Sequence, residues 1–171
     1  MAVGACAFDT ERLGVAGWHE AGRSPVALAE TVAAMLSEPV TRWLPPDWQG
    51  PYSVERAARW IEDQDREGAV SLIERRETGR PLGLVLLFEE PVEGGVDLRL
   101  GYLLAESAWG HGYGGELLVG LVAWCAEQAE VRSVTGGVAP QNVASIRLLE
   151  RAGFTRVDDA GGEWMYRLDF A

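Results

Sequence analysis

Lysine is absent from this chain of 171 residues, and all 15 of its basic residues are arginines. With 26 acidic residues, the formal net charge is −11. Because this much negative charge would repel the phosphates of nucleic acid, we expect no nucleic-acid partner. The absence of lysine also leaves no side-chain amine through which the protein itself could be acylated.

Cysteine is scarce as well, since the chain has only Cys6 and Cys125. Two cysteines cannot form a disulfide framework, and Cys125 falls on an apolar helical face that favours a buried thiol. No early stretch combines a basic flank, an apolar run and a small-residue cleavage site, so secretion is not indicated. The longest apolar runs, 82–88 and 117–126, are too short to cross a bilayer. We therefore expect a cytoplasmic protein without membrane association.

Length and composition predict one globular domain over residues 1–171, with 47% hydrophobic residues to fill a core. The acid excess is larger in the first part of the chain. Residues 1–96 contain 9 arginines and 16 acidic residues, whereas residues 97–171 contain 6 and 10. An acidic half attracts cationic partners such as protonated amines. A surface that keeps the protein soluble explains the same charge equally well.

The apolar patterns predict a mixed α/β fold with a mostly antiparallel sheet of six or seven strands and about four helices. Short turns at 78–80 and 93–95 join successive strands, which favours a meander. Ser24 and Ser53 are placed to cap two of the helices. The predicted strands are 12–18, 70–75, 82–88, 96–104, 132–138, 154–157 and 164–168, and the predicted helices are 26–36, 53–67, one that follows residue 115, and 143–151.

A glycine-rich turn separates the strand 96–104 from the third helix. Residues 109–115 read Trp-Gly-His-Gly-Tyr-Gly-Gly, and Gly110, Gly112, Gly114 and Gly115 would let a phosphate approach backbone amides at the positive end of the helix dipole. The segment lacks the Lys-Ser/Thr ending of a P-loop and the chain position of a dinucleotide-binding turn. Taken alone, it is as often a structural turn as a binding site.

A second polar position begins the helix 143–151. Asn142 is expected at its N-cap and Ser145 lies one turn further on. A helix N-terminus stabilises a thiolate, and a hydroxyl group there is placed to protonate it. Simple capping is the alternative interpretation of both residues.

The two segments together resemble the hallmark motifs of the GNAT superfamily of acyl-CoA-dependent N-acyltransferases. The resemblance rests on residues 109–114 followed by a helix and on residues 142–154, and it is strong over residues 97–168. The tryptophan before the glycine turn is similar to the branch that includes ribosomal-protein N-terminal acetyltransferases and antibiotic-modifying enzymes. The resemblance to the superfamily implies a sheet that splays between the fourth and fifth strands, with acceptor-side elements in residues 1–96 and an acetyl-CoA core in residues 97–171. It also allows a homodimer.

The resemblance implies a role for each matched position. Acetyl-CoA is the implied cosubstrate, and no metal is implied. Asn142 should face the pantetheine arm, and Arg147 and Arg151 should reach the phosphates, with surface ion pairs as the alternative for both arginines. The implied backbone contacts are to the pantetheine from Leu100, Tyr102, Leu103 and Leu104, and to the pyrophosphate from His111, Gly112, Tyr113, Gly114 and Gly115.

The implied chemistry is direct attack of a neutral amine on the thioester, so one proton leaves the amine and one reaches the departing thiolate. Many members of the superfamily place a tyrosine where this chain has Leu149, which leaves Ser145 as the candidate acid. Many relatives also have a glutamate where this chain has Arg99. Asp97 lies two residues earlier on the same strand face and is the candidate base.

The acceptor is the least defined part of the prediction. Trp43, Trp48 and Tyr52 are predicted to line a pocket for an amine through cation–π contacts, with Arg99 as a further acceptor contact. Packing beneath the proline-rich loop is the alternative for the aromatic residues. We expect a primary amine, with a cationic small molecule favoured over a peptide N-terminus. A noncatalytic acyl-CoA sensor and a partner-binding module remain open.

Overall fold

An eight-stranded sheet forms the centre of the structure, a computed structural model that describes residues 2–171. Two 3-10 turns, Pro46–Trp48 and Glu106–Ala108, interrupt the loops. In chain order the elements are β1 (Phe8–Asp9), β2 (Leu13–Gly17), α1 (Pro25–Met35), α2 (Glu38–Thr41), α3 (Val54–Glu67), β3 (Ala69–Arg75), β4 (Arg80–Val92), β5 (Gly95–Leu104), α4 (Tyr113–Ala126), β6 (Val131–Val138), α5 (Val143–Arg151), β7 (Thr155–Ala160) and β8 (Glu163–Asp169).

The strands lie in the order β1-β2-β3-β4-β5-β6-β8-β7, and every neighbouring pair is antiparallel except β5 with β6. The predicted mixed α/β class and mostly antiparallel sheet are therefore confirmed. The sheet has one strand more than the upper prediction because β1 contains two residues, too few to leave a period-two pattern. The additional helix, α2, is a four-residue turn at Pro39.

Local capping determines where the long helices begin. The Ser24 hydroxyl accepts a hydrogen bond from the Ala27 amide at 3.1 Å, and Ser53 accepts one from the Arg56 amide at the same distance. Both predicted starts are confirmed, and each cap satisfies an amide that the helix leaves without a partner. Within residues 2–171, none of the helices has the length and apolar character needed to cross a membrane.

Two apolar cores fill the two faces of the sheet. Helices α4 and α5 cover one face, where Leu98, Leu117 and Leu149 are buried, and α1 and α3 cover the other, where Val32, Leu84 and Leu103 are buried. Cys125 is fully buried in the first core, as predicted. Burial, to which the nearby Cys6 adds, raises the pKa of the Cys125 thiol to about 12, so it is an unreactive core residue.

Strands β5 and β6 pair over a short stretch and then separate. The parallel pairing runs from Val96 with Val131 to Arg99 with Thr135. Beyond it β5 continues beside β4 as far as Leu104, whereas β6 continues beside β8 as far as Val138. The predicted splay is therefore present, and it opens a gap between residues 100–104 of β5 and residues 136–138 of β6.

Candidate active site

The glycine turn ends in a left-handed backbone at the start of α4. Gly110 has φ 74° and Gly112, the N-cap of α4, has φ 79°, values that favour glycine over any residue with a Cβ atom. The amides of Tyr113, Gly114 and Gly115 follow in the first turn, where a helix offers its N–H groups no carbonyl partner of its own. Together with the helix dipole, these amides provide an anion site at the edge of the gap.

Arg12 holds this turn in place from the other end of the chain. Its Nη1 donates to the His111 carbonyl at 2.8 Å, its Nε donates to Glu116 at 2.7 Å, and its guanidinium lies 4.5 Å from the centre of the Tyr113 ring. Thr10 also donates to Glu116, at 2.6 Å. Burial alone would raise the pKa of the Glu116 carboxyl, but the donors from Thr10 and Arg12 outweigh it and hold this pKa below its ordinary value. We call Arg12, Glu116 and the His111 carbonyl the turn clamp.

Gly114 has a packing role besides the one the sequence suggested. A Cβ atom placed on it would lie 2.7 Å from Cδ1 of Leu148, on α5, so the missing side chain lets α4 approach α5. Access for a phosphate, the reason expected from the sequence, stays a prediction for this glycine. A Cβ atom on Gly115 would meet Leu148 at 3.9 Å, an ordinary contact.

Alternate residues of β5 direct their backbone groups into the gap. The Ala105 amide donates to the Leu82 carbonyl, so by the antiparallel alternation Leu103 also bonds toward β4, while Leu100, Tyr102 and Leu104 point toward β6. The Leu104 carbonyl accepts from the Trp109 indole at 2.9 Å. The gap therefore offers the carbonyl of Leu100, the backbone groups of Tyr102 and the amide of Leu104, because the amide of Leu100 belongs to the pairing of Arg99 with Thr135. Leu103 contributes to the other side of the strand.

The N-terminus of α5 closes the far side of the gap. The Asn142 side-chain oxygen accepts from the Ser145 amide at 3.3 Å, which confirms the predicted cap. The Ser145 hydroxyl and the Tyr102 phenol are 2.6 Å apart and hydrogen-bonded. Burial raises the pKa of the Tyr102 phenol above its ordinary value of 10, and the bond to Ser145 offsets only part of that rise. Leu149, one turn further along α5, is 2% exposed and belongs to the core.

The sequence matches the acetyltransferase (GNAT) domain family over residues 23–155, more than three quarters of the chain. The chain belongs to the GNAT acetyltransferase family. This match covers both the glycine turn and the capped helix, the two segments that border the gap.

Solved structures of the same family share the fold. An acetyltransferase from Bacillus anthracis is 15% identical with a TM-score of 0.73, covering 94% of this chain and 96% of its own. RimL, a ribosomal L7/L12 alpha-N-protein acetyltransferase in complex with coenzyme A, is 18% identical (TM-score 0.70; 94% and 96% covered). AAC(6')-Ib in complex with ribostamycin and coenzyme A is 18% identical (TM-score 0.72; 94% of each chain covered). The neighbours thus include both kinds of enzyme in the branch that the sequence resembles.

A curated relative extends over less of the chain. The uncharacterized protein YkkB of Bacillus subtilis (strain 168) is 27% identical over 96 residues, which are 55% of this chain and 56% of that protein. The similarity therefore spans little more than half of the relative's length.

The candidate base lies before the splay in this GNAT domain. Asp97 Oδ2 accepts from Arg167 at 3.2 Å, and its other oxygen is buried with no hydrogen-bond partner among the residues described. Ser133 is its neighbour across the parallel pairing. Arg99 contacts Glu90 at 3.6 Å and lies over the Phe88 ring. Both side chains point to the sheet face opposite Tyr102, so the structure brings neither to Ser145.

The aromatic residues of the predicted acceptor site separate into two places. Trp48 and Tyr52 lie edge-on against Trp60, with ring centres 5.4 and 6.4 Å away, and border a cavity of about 400 Å³ along α3. Trp60 also contacts Trp18, which follows β2, and it belongs to the same apolar core as Leu103 of β5. Trp43 does not line the cavity, and Arg42 covers its ring at 5.0 Å. Trp48 and Tyr52 therefore also pack around Trp60, in agreement with the alternative interpretation that these aromatic residues have a structural role.

The two arginines of α5 are exposed on one side of that helix. Arg147 and Arg151 are four residues apart, and in the part of the chain that the structure covers neither forms an ion pair. The ion-pair alternative is therefore not seen. No group of three or more histidine, cysteine or acidic side chains within residues 2–171 is arranged to hold a metal ion.

Proposed function

We propose that this chain transfers an acetyl group from acetyl-CoA to a primary amine, which attacks the thioester directly while both substrates are bound. The observation that carries the proposal is the gap between β5 and β6. It is bordered by unpaired strand groups, by the N-terminus of α4 and by the capped N-terminus of α5. A long, polyanionic thioester needs these three kinds of surface at once.

In this proposal acetyl-CoA lies along the gap. The backbone groups of Leu100, Tyr102 and Leu104 bind the pantetheine arm, and the side-chain NH₂ of Asn142, whose oxygen is used in the cap, donates to the same arm. The amides of residues 111–115 hold the pyrophosphate, and Arg147 and Arg151 add positive charge near the phosphates. Leu103 is left out because its backbone groups face β4.

The reaction forms a C–N bond and breaks the C–S bond, which leaves a thiolate. Ser145 donates a proton toward that sulfur, and the N-terminus of α5 stabilises the negative charge until it does. Asp97 is the proposed acceptor, through water, of the proton that the amine loses. One of its oxygens already accepts a hydrogen bond from Arg167, and we expect the amine to be partly deprotonated before it binds.

A cationic small molecule is the proposed acceptor. The net charge of −11 attracts it, and the solved neighbour AAC(6')-Ib was crystallised with ribostamycin, an aminoglycoside. Trp48, with Asp47 and Asp63 beside it, offers aromatic and acidic contacts, whereas the Arg56 guanidinium already lies 4.0 Å from the centre of the Tyr52 ring. A protein N-terminus is the second candidate, since RimL shares the fold.

We further infer one domain over residues 1–171 and a cytoplasmic location, where acetyl-CoA and reduced thiols occur together. Residues 97–171 form the acetyl-CoA side and residues 1–96 the acceptor side, with Arg12 of the turn clamp as the exception. A homodimer belongs to the same proposal, and light scattering of the purified protein measures it.

Thiol release from acetyl-CoA tests the function. The panel contains aminoglycosides, polyamines, arylalkylamines and short peptides with free N-termini, and we expect saturable release with one class. Ser145→Ala should lower kcat by on the order of 10²-fold with little change in acetyl-CoA affinity. Binding of acetyl-CoA without turnover of any amine would instead support a noncatalytic sensor, and absence of binding would rule out both.

A further inference from the structure

The hydroxyl of Ser145 has a second hydroxyl group directly behind it. Tyr102 projects from β5 on the face that α4 and α5 cover, and its phenol oxygen is 2.6 Å from the Ser145 hydroxyl oxygen. This hydrogen bond joins β5 and α5, which border the gap on opposite sides. The sequence alone indicated a role for the backbone of residue 102 and none for its side chain.

A serine hydroxyl by itself is a poor acid for a thiolate. Giving up its proton would leave an alkoxide, which is a far stronger base than the sulfur that received the proton. A phenol ionises near pH 10 and a thiol near pH 8.5 in ordinary surroundings, so a phenol is much closer to the task. Ser145 therefore needs a second proton source within hydrogen-bond reach, and Tyr102 is the group at that distance.

The surroundings of the two hydroxyls are compatible with proton transfer from Tyr102 to Ser145. The Ser145 amide is held by Asn142, which anchors the backbone of α5 beside the gap. If the phenol donates to the serine oxygen, the serine proton is free to point into the gap, toward the sulfur. Leu149 is buried in the core and offers no competing polar group on the next turn of α5.

We propose that Tyr102 is a positioning and proton-supplying residue that acts through Ser145; this inference rests on the proposed acetyl transfer. As the C–S bond breaks, the sulfur takes the proton of Ser145, and the Ser145 oxygen takes the proton of Tyr102. The resulting phenolate regains a proton from water, and the proton that Asp97 has taken from the amine returns to water. The serine thus passes a proton on and is unchanged at the end.

Tyr102→Phe removes the phenol oxygen and keeps the ring. We expect kcat to fall on the order of 10²-fold while acetyl-CoA affinity stays within about twofold. Because the two hydroxyls act as one unit, the double variant with Ser145→Ala should be no slower than the slower single variant. Tyr166→Phe is the control, since it removes a phenol that donates to another side chain of the same helix, Glu150, at 3.0 Å.

A binding measurement tests the pair of hydroxyls, Tyr102 and Ser145, without any amine substrate. A donated hydrogen bond favours the thiolate form, so the affinity of the wild-type protein for coenzyme A should rise with pH as the thiol ionises. Desulfo-coenzyme A, which has no thiol, should show no such rise. In Tyr102→Phe the increase in coenzyme A affinity with pH should be roughly threefold to tenfold smaller. The reason is that the lost hydrogen bond reaches the sulfur only through Ser145.

The outcomes separate the two proposals. Wild-type kinetics and a wild-type pH dependence in Tyr102→Phe would overturn the role of Tyr102 and leave acetyl transfer standing. Additive losses in the double variant would also overturn it, because they would assign Tyr102 an independent structural effect. Failure of the wild-type protein to bind coenzyme A at any pH would overturn the proposed function together with this inference.

Discussion

At the scale of single residues, two side chains that the sequence did not single out organise the site. Arg12 is 99 positions from His111, and Tyr102 is 43 positions from Ser145. Neither pair leaves a local pattern, because the sheet and the α4 crossover bring the partners together. By contrast, Asn142 and Ser145 could be placed from sequence because a helix cap is a contact across three residues.

Arg12→Ala tests the turn clamp. Loss of its bonds to His111 and Glu116 frees the turn before α4, and we expect the acetyl-CoA Kd to rise roughly tenfold, about 1.4 kcal/mol. Calorimetry measures the Kd. Arg75→Ala is the control, since Arg75 forms an exposed pair with Glu77. A wild-type Kd in a folded Arg12→Ala protein would show that the turn keeps its shape without the clamp.

At the scale of elements, the caps and turns were predictable and the packing between elements was not. Ser24 and Ser53 begin α1 and α3 as expected, and the turn around Gly94 joins β4 to β5. The contact between α4 and α5 was missed because glycine in a binding motif suggests a ligand before it suggests a neighbouring helix. The position of Trp48 and Tyr52 depends on how the 42–53 loop packs on α3, which no periodicity encodes.

Gly114→Val tests the packing of α4 on α5. The added side chain meets Leu148, and overpacking of this kind destabilises a protein by about 1–3 kcal/mol. Urea denaturation should show this loss, and Leu148→Ala in the same chain should recover part of it through coupling between the two sites. Gly115→Ala, with only an ordinary contact to Leu148, should keep the wild-type stability. Strictly additive effects of Gly114→Val and Leu148→Ala would argue against the contact.

At the scale of the whole molecule, the sheet consists of two antiparallel parts joined by a short parallel pairing. The fold class was predictable from the apolar patterns, and the splay was predictable only from the resemblance to the GNAT superfamily. The location of the aromatic cavity was not, because it depends on which side of α3 faces β2. The same arrangement leaves backbone groups of β5 without strand partners in the gap.

Hydrogen exchange tests the occupancy of the gap. In the free protein we expect fast exchange at the amides of Tyr102 and Leu104, because they lack a strand partner. Acetyl-CoA should slow them if the pantetheine arm takes the place of that partner. The amides of Leu84 and Leu86, in the interior of β4, serve as internal controls. Equal exchange with and without acetyl-CoA would place the ligand elsewhere.

The parallel pairing of β5 with β6 also affects how the protein emerges from the ribosome. Strands β2 to β5 follow one another with antiparallel contacts and are complete when residue 104 has been made. The gap has no second wall until β6 and α5 have followed, because a parallel neighbour requires the whole α4 crossover. Synthesis therefore finishes the greater part of the sheet before it creates the gap in which we propose that acetyl-CoA binds, and both walls of this gap are present only after about residue 151.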